Sequence, residues 1–122
     1  MKYLFLLLIS CFFILTSYSQ NSIKRNTPDS TKKIQVVETA CGECKFGLPG
    51  KSCDLAIRID GKAYFVDGTT IDEHGDAHAD DGFCNAIRRA KVQGEIIDNR
   101  FKATYFSLLK PNDEKSLKNR KD

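Results

Sequence analysis

Residues 72–84 read Asp72-Glu73-His74-Gly75-Asp76-Ala77-His78-Ala79-Asp80-Asp81-Gly82-Phe83-Cys84, and this block holds both histidines of the chain. Three more cysteines lie upstream, in Cys41-Gly42-Glu43-Cys44 and at Cys53. Thiolate, imidazole and carboxylate are the side chains that bind transition metals. The candidate ligands are therefore His74, His78, Asp76, Cys41, Cys44, Cys53 and Cys84, with zinc or copper as the metal. Asp72, His74, Asp76, His78 and Asp80 fall at every second position. In an extended segment all five would project to one side, and in a helix the two histidines would share a face. Carboxylates would ligate or orient the rings. The competing reading is a solvated polar loop with a helix cap, whose two histidines give it a charge sensitive to pH near neutrality. The spaced oxygens and terminal glutamate of a calcium-binding helix–loop–helix are missing.

The cysteines admit three chemistries. Four of the five remain once an N-terminal leader is removed. An even number in a small exported domain gives two disulfides, with three connectivities. Two Cys-x2-Cys pairs would read as zinc. Here there is one pair, then a cysteine nine residues after Cys44 and another thirty-one beyond that, so the fold must bring them together. Cys41 and Cys44 could instead be a thiol-redox pair, although a glycine-rich loop, Lys45 to Gly50, follows them rather than a helix. Cys84 with His78 is a conceivable nucleophile and base. No oxyanion hole, Ser-His-Asp order, phosphate loop or paired glycosidase carboxylates accompany it, so an enzyme is the weaker expectation.

The elements that must position these residues are mostly strands. Ile34–Thr39 carries Val36 and Val37. In Cys53–Asp60, Leu55, Ile57 and Ile59 alternate with Ala56 and Arg58, the period of a half-buried strand. Asp60-Gly61 suits a two-residue hairpin turn with positive φ at both positions. Lys62–Val66 returns from it. Phe83–Lys91 reads as a helix capped by Asp80 or Asp81, with Phe83, Ile87 and Ala90 on one face and Cys84 in its first turn. Lys91–Ile97 and Arg100–Leu109 follow as strands around Asp98-Asn99. The order β-β-β-α-β-β predicts a mainly β (α+β) fold, a five-stranded partly open barrel like the oligonucleotide/oligosaccharide-binding (OB) fold. Strands two and three offer only Arg58, Lys62, Tyr64 and Phe65 to a nucleic acid, which argues against that partner.

Residues 1–19 read as a signal peptide: Lys2, an apolar run from Tyr3 to Leu15, and Ser17-Tyr18-Ser19 before a cut at Gln20. A lipid anchor at Cys11 of Leu8-Ile9-Ser10-Cys11 is the minority alternative. No second apolar run predicts a membrane span. Localisation is expected to be periplasmic or extracellular. Residues 20–33 are expected to be a flexible linker, 34–109 a single OB-like domain and 110–122 a basic disordered tail. Losing Lys2 with the leader lowers Lys+Arg from 19 to 18 against 16 Asp+Glu, so the formal charge falls from +3 to +2. That balance gives no argument for nucleic acid.

The runs Cys41-Gly42-Glu43-Cys44-Lys45-Phe46, Gly50-Lys51-Ser52-Cys53-Asp54-Leu55-Ala56, Asp60-Gly61-Lys62-Ala63-Tyr64-Phe65-Val66-Asp67-Gly68 and His74-Gly75-Asp76-Ala77-His78 together resemble a family of small exported bacterial proteins classed as a domain of unknown function. The likeness continues through Asp81–Ile87 and Arg100–Thr104 and covers most of residues 36–109. It implies a single exported domain and no assigned activity. Three functions are therefore expected to compete. The first is a Cys/His-rich domain binding a transition metal for sequestration, delivery or sensing. The second is a disulfide-stabilised structural or interaction module, its partner an unidentified exported protein. The third is a thiol-redox protein using Cys41 and Cys44.

Overall fold

The computed structural model describes residues 27–120. The stretch expected to be a signal peptide, its expected cut site and the alternative anchor position Cys11 lie outside the described residues.

Two tight turns set the register of two hairpins. Asp60 and Gly61 have φ of 50° and 82°, and they join β2 (Leu55–Ile59) to β3 (Lys62–Asp67). Asp98 and Asn99 have φ of 53° and 61° and join β4 (Arg88–Ile97) to β5 (Arg100–Leu108). Aspartate, asparagine and glycine tolerate this left-handed region, whose twist matches that of the paired strands. Ile59 accordingly faces Lys62, and Ile97 faces Arg100.

With β1 (Gln35–Cys41), these strands close a five-stranded barrel, as expected from the sequence, with neighbours in the order β1-β2-β3-β5-β4. β1 pairs antiparallel with both β2 and β4. The barrel is closed rather than partly open, because β3 and β5 meet in a short parallel seam, Val66 opposite Phe101 and Asp67 opposite Lys102. Val37, Leu55, Ile57, Val66, Val92, Phe101 and Phe106 form one buried cluster. Leu55 and Ile57 keep the alternation read from the sequence, whereas in β5 the buried positions are Phe101, Ala103 and then Phe106, not Tyr105. A register shift at Gln93/Gly94 bends β4.

An ion cluster clamps the seam. Arg100 donates from Nε and Nη2 to the Asp67 carboxylate at 2.8–3.0 Å, and Lys102 Nζ donates to the same carboxylate. These cations, Arg100 first and then Lys102, hold the Asp67 pKa down to about 2. A carboxyl depressed in the folded state stabilises it above the ordinary carboxylate range and loses that contribution as pH falls through the depressed value. The Asp67 side chain is one-third exposed, so solvent screening limits the gain to about 1 kcal/mol. Asp67→Asn is expected to be less stable than the parent at pH 7 by that amount. The two urea curves should converge as pH falls from about 4 towards 2. A gap that persists at the acid end would show that the charge is not what holds the seam.

Three segments depart from the sequence reading. Phe83–Lys91 is not a helix. The amides of Asn85 and Ala86 both donate to Gly82 O, making a single turn, and from Arg88 the chain belongs to β4. Pairing of Arg88–Val92 with Thr39–Gln35 outcompetes the local helical spacing. Between β3 and β4 the helical element is instead a 3₁₀ turn, Ile71–His74, closed by a capping box of Thr70 and Glu73. Residues 111–119, read as part of a disordered tail, form a helix, α2 (Pro111–Asn119), after the single-turn α1 (Gly42–Lys45). Proline at the first turn pre-sets its backbone. Glu114 ties it to the barrel by accepting from Arg88 Nε and the Arg89 amide, each at 3.3 Å. Among the described residues no helix is long and apolar enough to cross a membrane.

Residues 29–32, within the stretch read as a linker, are pinned by Gln93. Its buried amide accepts from Asp29 N and donates to Asp29 O and Lys32 O, at 2.8–2.9 Å.

Candidate metal centre

Cys41 ends β1, Cys44 lies in α1, Cys53 precedes β2, and Cys84 follows the 3₁₀ turn on the way into β4. Backbone hydrogen bonds lace these segments together. Cys41 N donates to Phe83 O at 3.0 Å, Gly42 N to Asp54 O at 2.8 Å, and Cys84 N to Ala77 O at 2.9 Å. Cys41, Cys53 and Cys84 thus each have such a bond at their own residue or the next one, while the Cys44 amide donates to the Cys41 sulfur.

Two glycines let these segments approach. A Cβ on Gly42 would lie 2.6 Å from Phe65 Cε1 and 3.1 Å from Ala56 Cβ, so α1 sits directly on the outer faces of β2 and β3. A Cβ on Gly82 would lie 2.4 Å from both Asp76 O and Ala77 O. Gly82 therefore allows the turn that presents Phe83 and Cys84.

All four sulfurs lie within 4.8 Å of one another. Cys41 is fully buried, Cys53 and Cys84 are half-buried, and Cys44 is exposed. The shortest approach is 2.7 Å, between Cys53 and Cys84. Cys41 caps α1: its sulfur accepts from Cys44 N at 3.4 Å and lies 3.5 Å from Glu43 Oε2. Glu43 Oε2 also accepts from Asp54 N at 2.9 Å, while Glu43 Oε1 is buried with no hydrogen-bond partner. One carboxylate thus links the Cys41 turn to the segment bearing Cys53.

Crowded thiols resist ionisation together. The hydrogen-bonded Cys41 side chain, then partial desolvation by the packed neighbours, push the Cys44 pKa up to about 11. Burial, then Cys84 and Cys41, raise that of Cys53. Both shifts favour the protonated thiols, and a bound cation would act the other way, by stabilising thiolates and displacing their protons.

The donor set fits a tetrahedral thiophilic ion. Zinc–sulfur bonds of about 2.3 Å require sulfur–sulfur edges near 3.8 Å. The observed spacings, from 2.7 Å between Cys53 and Cys84 to at most 4.8 Å, bracket that edge. Four cysteines could therefore hold one metal ion without any other ligand.

Among the described residues this is the one group of three or more candidate ligands that meets at a point, and it contains no histidine and no carboxylate. His74 is half-buried elsewhere. Its ring packs on Phe106 at 4.5 Å and edge-on to Phe83 at 6.3 Å, and its Nε2 lies 2.8 Å from Thr69 Oγ1. His78 is exposed, and Asp76 Oδ1 accepts its backbone amide at 2.9 Å, a turn contact rather than metal chemistry. The alternating block is broken by Gly75, with φ of 110°, so its side chains share no face. Cys84 lies in a turn, which removes the helix dipole as an influence on its thiol. The sequence reading missed Glu43. Its place between Cys41 and Cys44 was the available signal, but its bond to Asp54 spans eleven residues.

A family of unknown function, DUF6370, matches residues 35–109, from the first residue of β1 to the residue after β5. No curated protein matches the chain, and neither does any solved structure.

Proposed function

The chain belongs to this family of unknown function, DUF6370, and we propose that it is a small metal-binding domain whose four cysteines hold one soft or borderline transition-metal ion. The observation that carries this reading is the convergence of Cys41, Cys44, Cys53 and Cys84 within 4.8 Å on a scaffold that fixes each segment through its backbone. All-thiolate sites select zinc and Cu(I) over hard cations, and zinc's tetrahedral preference makes it the first choice. When bound, the ion supplies a cross-link between the β1 end, the β2 start and the approach to β4. Cys41 supplies the buried ligand, with the Cys44 amide donating to its sulfur. Cys44 supplies an exposed one, which supports sequestration, delivery or sensing over a sealed structural site. The apolar Tyr3–Leu15 run motivates placing the protein in an exported compartment.

The 2.7 Å approach of Cys53 and Cys84 favours, as a second reading, a disulfide-stapled module. A thiol oxidoreductase using Cys41 and Cys44 needs a depressed thiol pKa, and the upward shift of Cys44 opposes it.

Intact mass of protein purified without chelator or reductant, under native and denaturing conditions, separates the readings. One metal mass per chain, lost on denaturation with four thiols then free to alkylation, is the expected result. No metal and a mass lower than the reduced chain by about four hydrogens would mean two disulfides and overturn the metal reading.

A further inference from the structure

We propose that Cys53 and Cys84 are the oxidation site of the cluster, and that a hydroperoxide closing a disulfide between them ejects the metal. This rests on the four-cysteine metal reading and names how that same site is regulated.

The geometry singles out this pair. Their sulfurs lie 2.7 Å apart, and a covalent disulfide needs about 2.05 Å, so closure requires a shift of about 0.7 Å. The segments already hold their positions: Cys84 through its amide to Ala77 O, and Cys53 through its neighbour Asp54, bonded to both Gly42 and Glu43. Both sulfurs are half-buried, so a small peroxide reaches them. The other pair is placed differently. Cys41 is fully buried, and its sulfur is engaged by Glu43 and by the Cys44 amide.

The chemistry balances. One thiolate of the pair attacks a peroxide oxygen, the O–O bond breaks, and the sulfur becomes a sulfenic acid while the leaving oxygen departs as water after protonation. The second thiolate attacks that sulfur, the S–O bond breaks, and a second water leaves. Two electrons pass from the two sulfurs to the peroxide, and two protons are consumed from solvent. Two of four ligands are then lost, and the remaining pair, Cys41 and Cys44, holds the ion far more weakly. Thiol reduction restores the site.

The test uses the full mature chain loaded with zinc, its stoichiometry first fixed by native mass. Equimolar hydrogen peroxide is added, released zinc is read with a chromogenic chelator, and disulfides are mapped by peptide mass after alkylation. The expected result is one zinc released per disulfide, a Cys53–Cys84 linkage, and full reloading after dithiothreitol. Zinc retained through oxidation, or a Cys41–Cys44 linkage as the main product, would overturn the proposal while leaving the metal site intact. A chain that takes up no zinc at the outset overturns the metal reading instead, and the regulation built on it falls with it.

Discussion

Cys41→Ser is expected to take the zinc stoichiometry from one per chain to zero at micromolar metal, whereas His74→Ala and His78→Ala should leave it at one. Cys41 is the fully buried member of the cluster and terminates β1, which pairs with both β2 and β4. Its sulfur caps α1 and meets Glu43, so no neighbouring side chain replaces it. Serine keeps the cap but is a poor zinc ligand at neutral pH, because its hydroxyl stays protonated. The folded state survives the change, since a serine oxygen still accepts the Cys44 amide and donates to Glu43. Circular dichroism and equilibrium dialysis on the same sample check both halves of this expectation. Metal retained by Cys41→Ser, or lost in either histidine variant, would move the site away from the cysteine cluster.

The second large effect is expected at Phe83. Its side chain is 3 % exposed, packs in the core and edge-on to His74, and its carbonyl receives the Cys41 amide. Removing a buried phenyl ring costs about 3–5 kcal/mol. Domains of this size have total stabilities of about 5–10 kcal/mol, so Phe83→Ala should be close to unfolding without metal. A ligand that binds only the folded state adds about 4 kcal/mol at a thousand times its dissociation constant. Phe83→Ala should therefore melt near ambient temperature as metal-free protein and recover a cooperative transition on saturation with zinc. Equal melting with and without zinc would show that the folded state of this variant does not bind the ion in preference to the unfolded chain.

The strands and their turns were legible in the sequence because their determinants are local. Leu55, Ile57 and Ile59 alternate, and Asp60-Gly61 and Asp98-Asn99 supply the residues that tolerate positive φ. The order of elements then pointed to the OB barrel, whose β3–β5 seam is held by Asp67, Arg100 and Lys102. The false helix at Phe83–Lys91 came from spacing that a strand also permits. Ile87, placed on the helix's apolar face, is exposed, while Ala90 is fully buried as a partner of Val37 in β1. Pairing with a strand about fifty residues away decides that segment, and no local pattern encodes it. The cysteines were recognisable as candidates, but their convergence depends on barrel closure. The histidines were over-read for the converse reason: His74 has an aromatic neighbour in β5, and Asp76 has a turn to make, both invisible to residue type alone.

The Gln93 clamp on residues 29–32 has a consequence for how this domain is presented to its surroundings. The chain enters the barrel beside Gln35, whereas the sulfurs gather at Cys41, six residues along the same strand. At about 3.3 Å per residue, the cluster stands about 20 Å from the point of entry. Any attachment through the N-terminal side, whether a cellular tether or a laboratory immobilisation tag, therefore acts at the opposite pole of β1. The exposed Cys44 thiol stays available to solution, and an N-terminal linkage is the orientation in which surface-coupled protein should retain its full metal-exchange capacity.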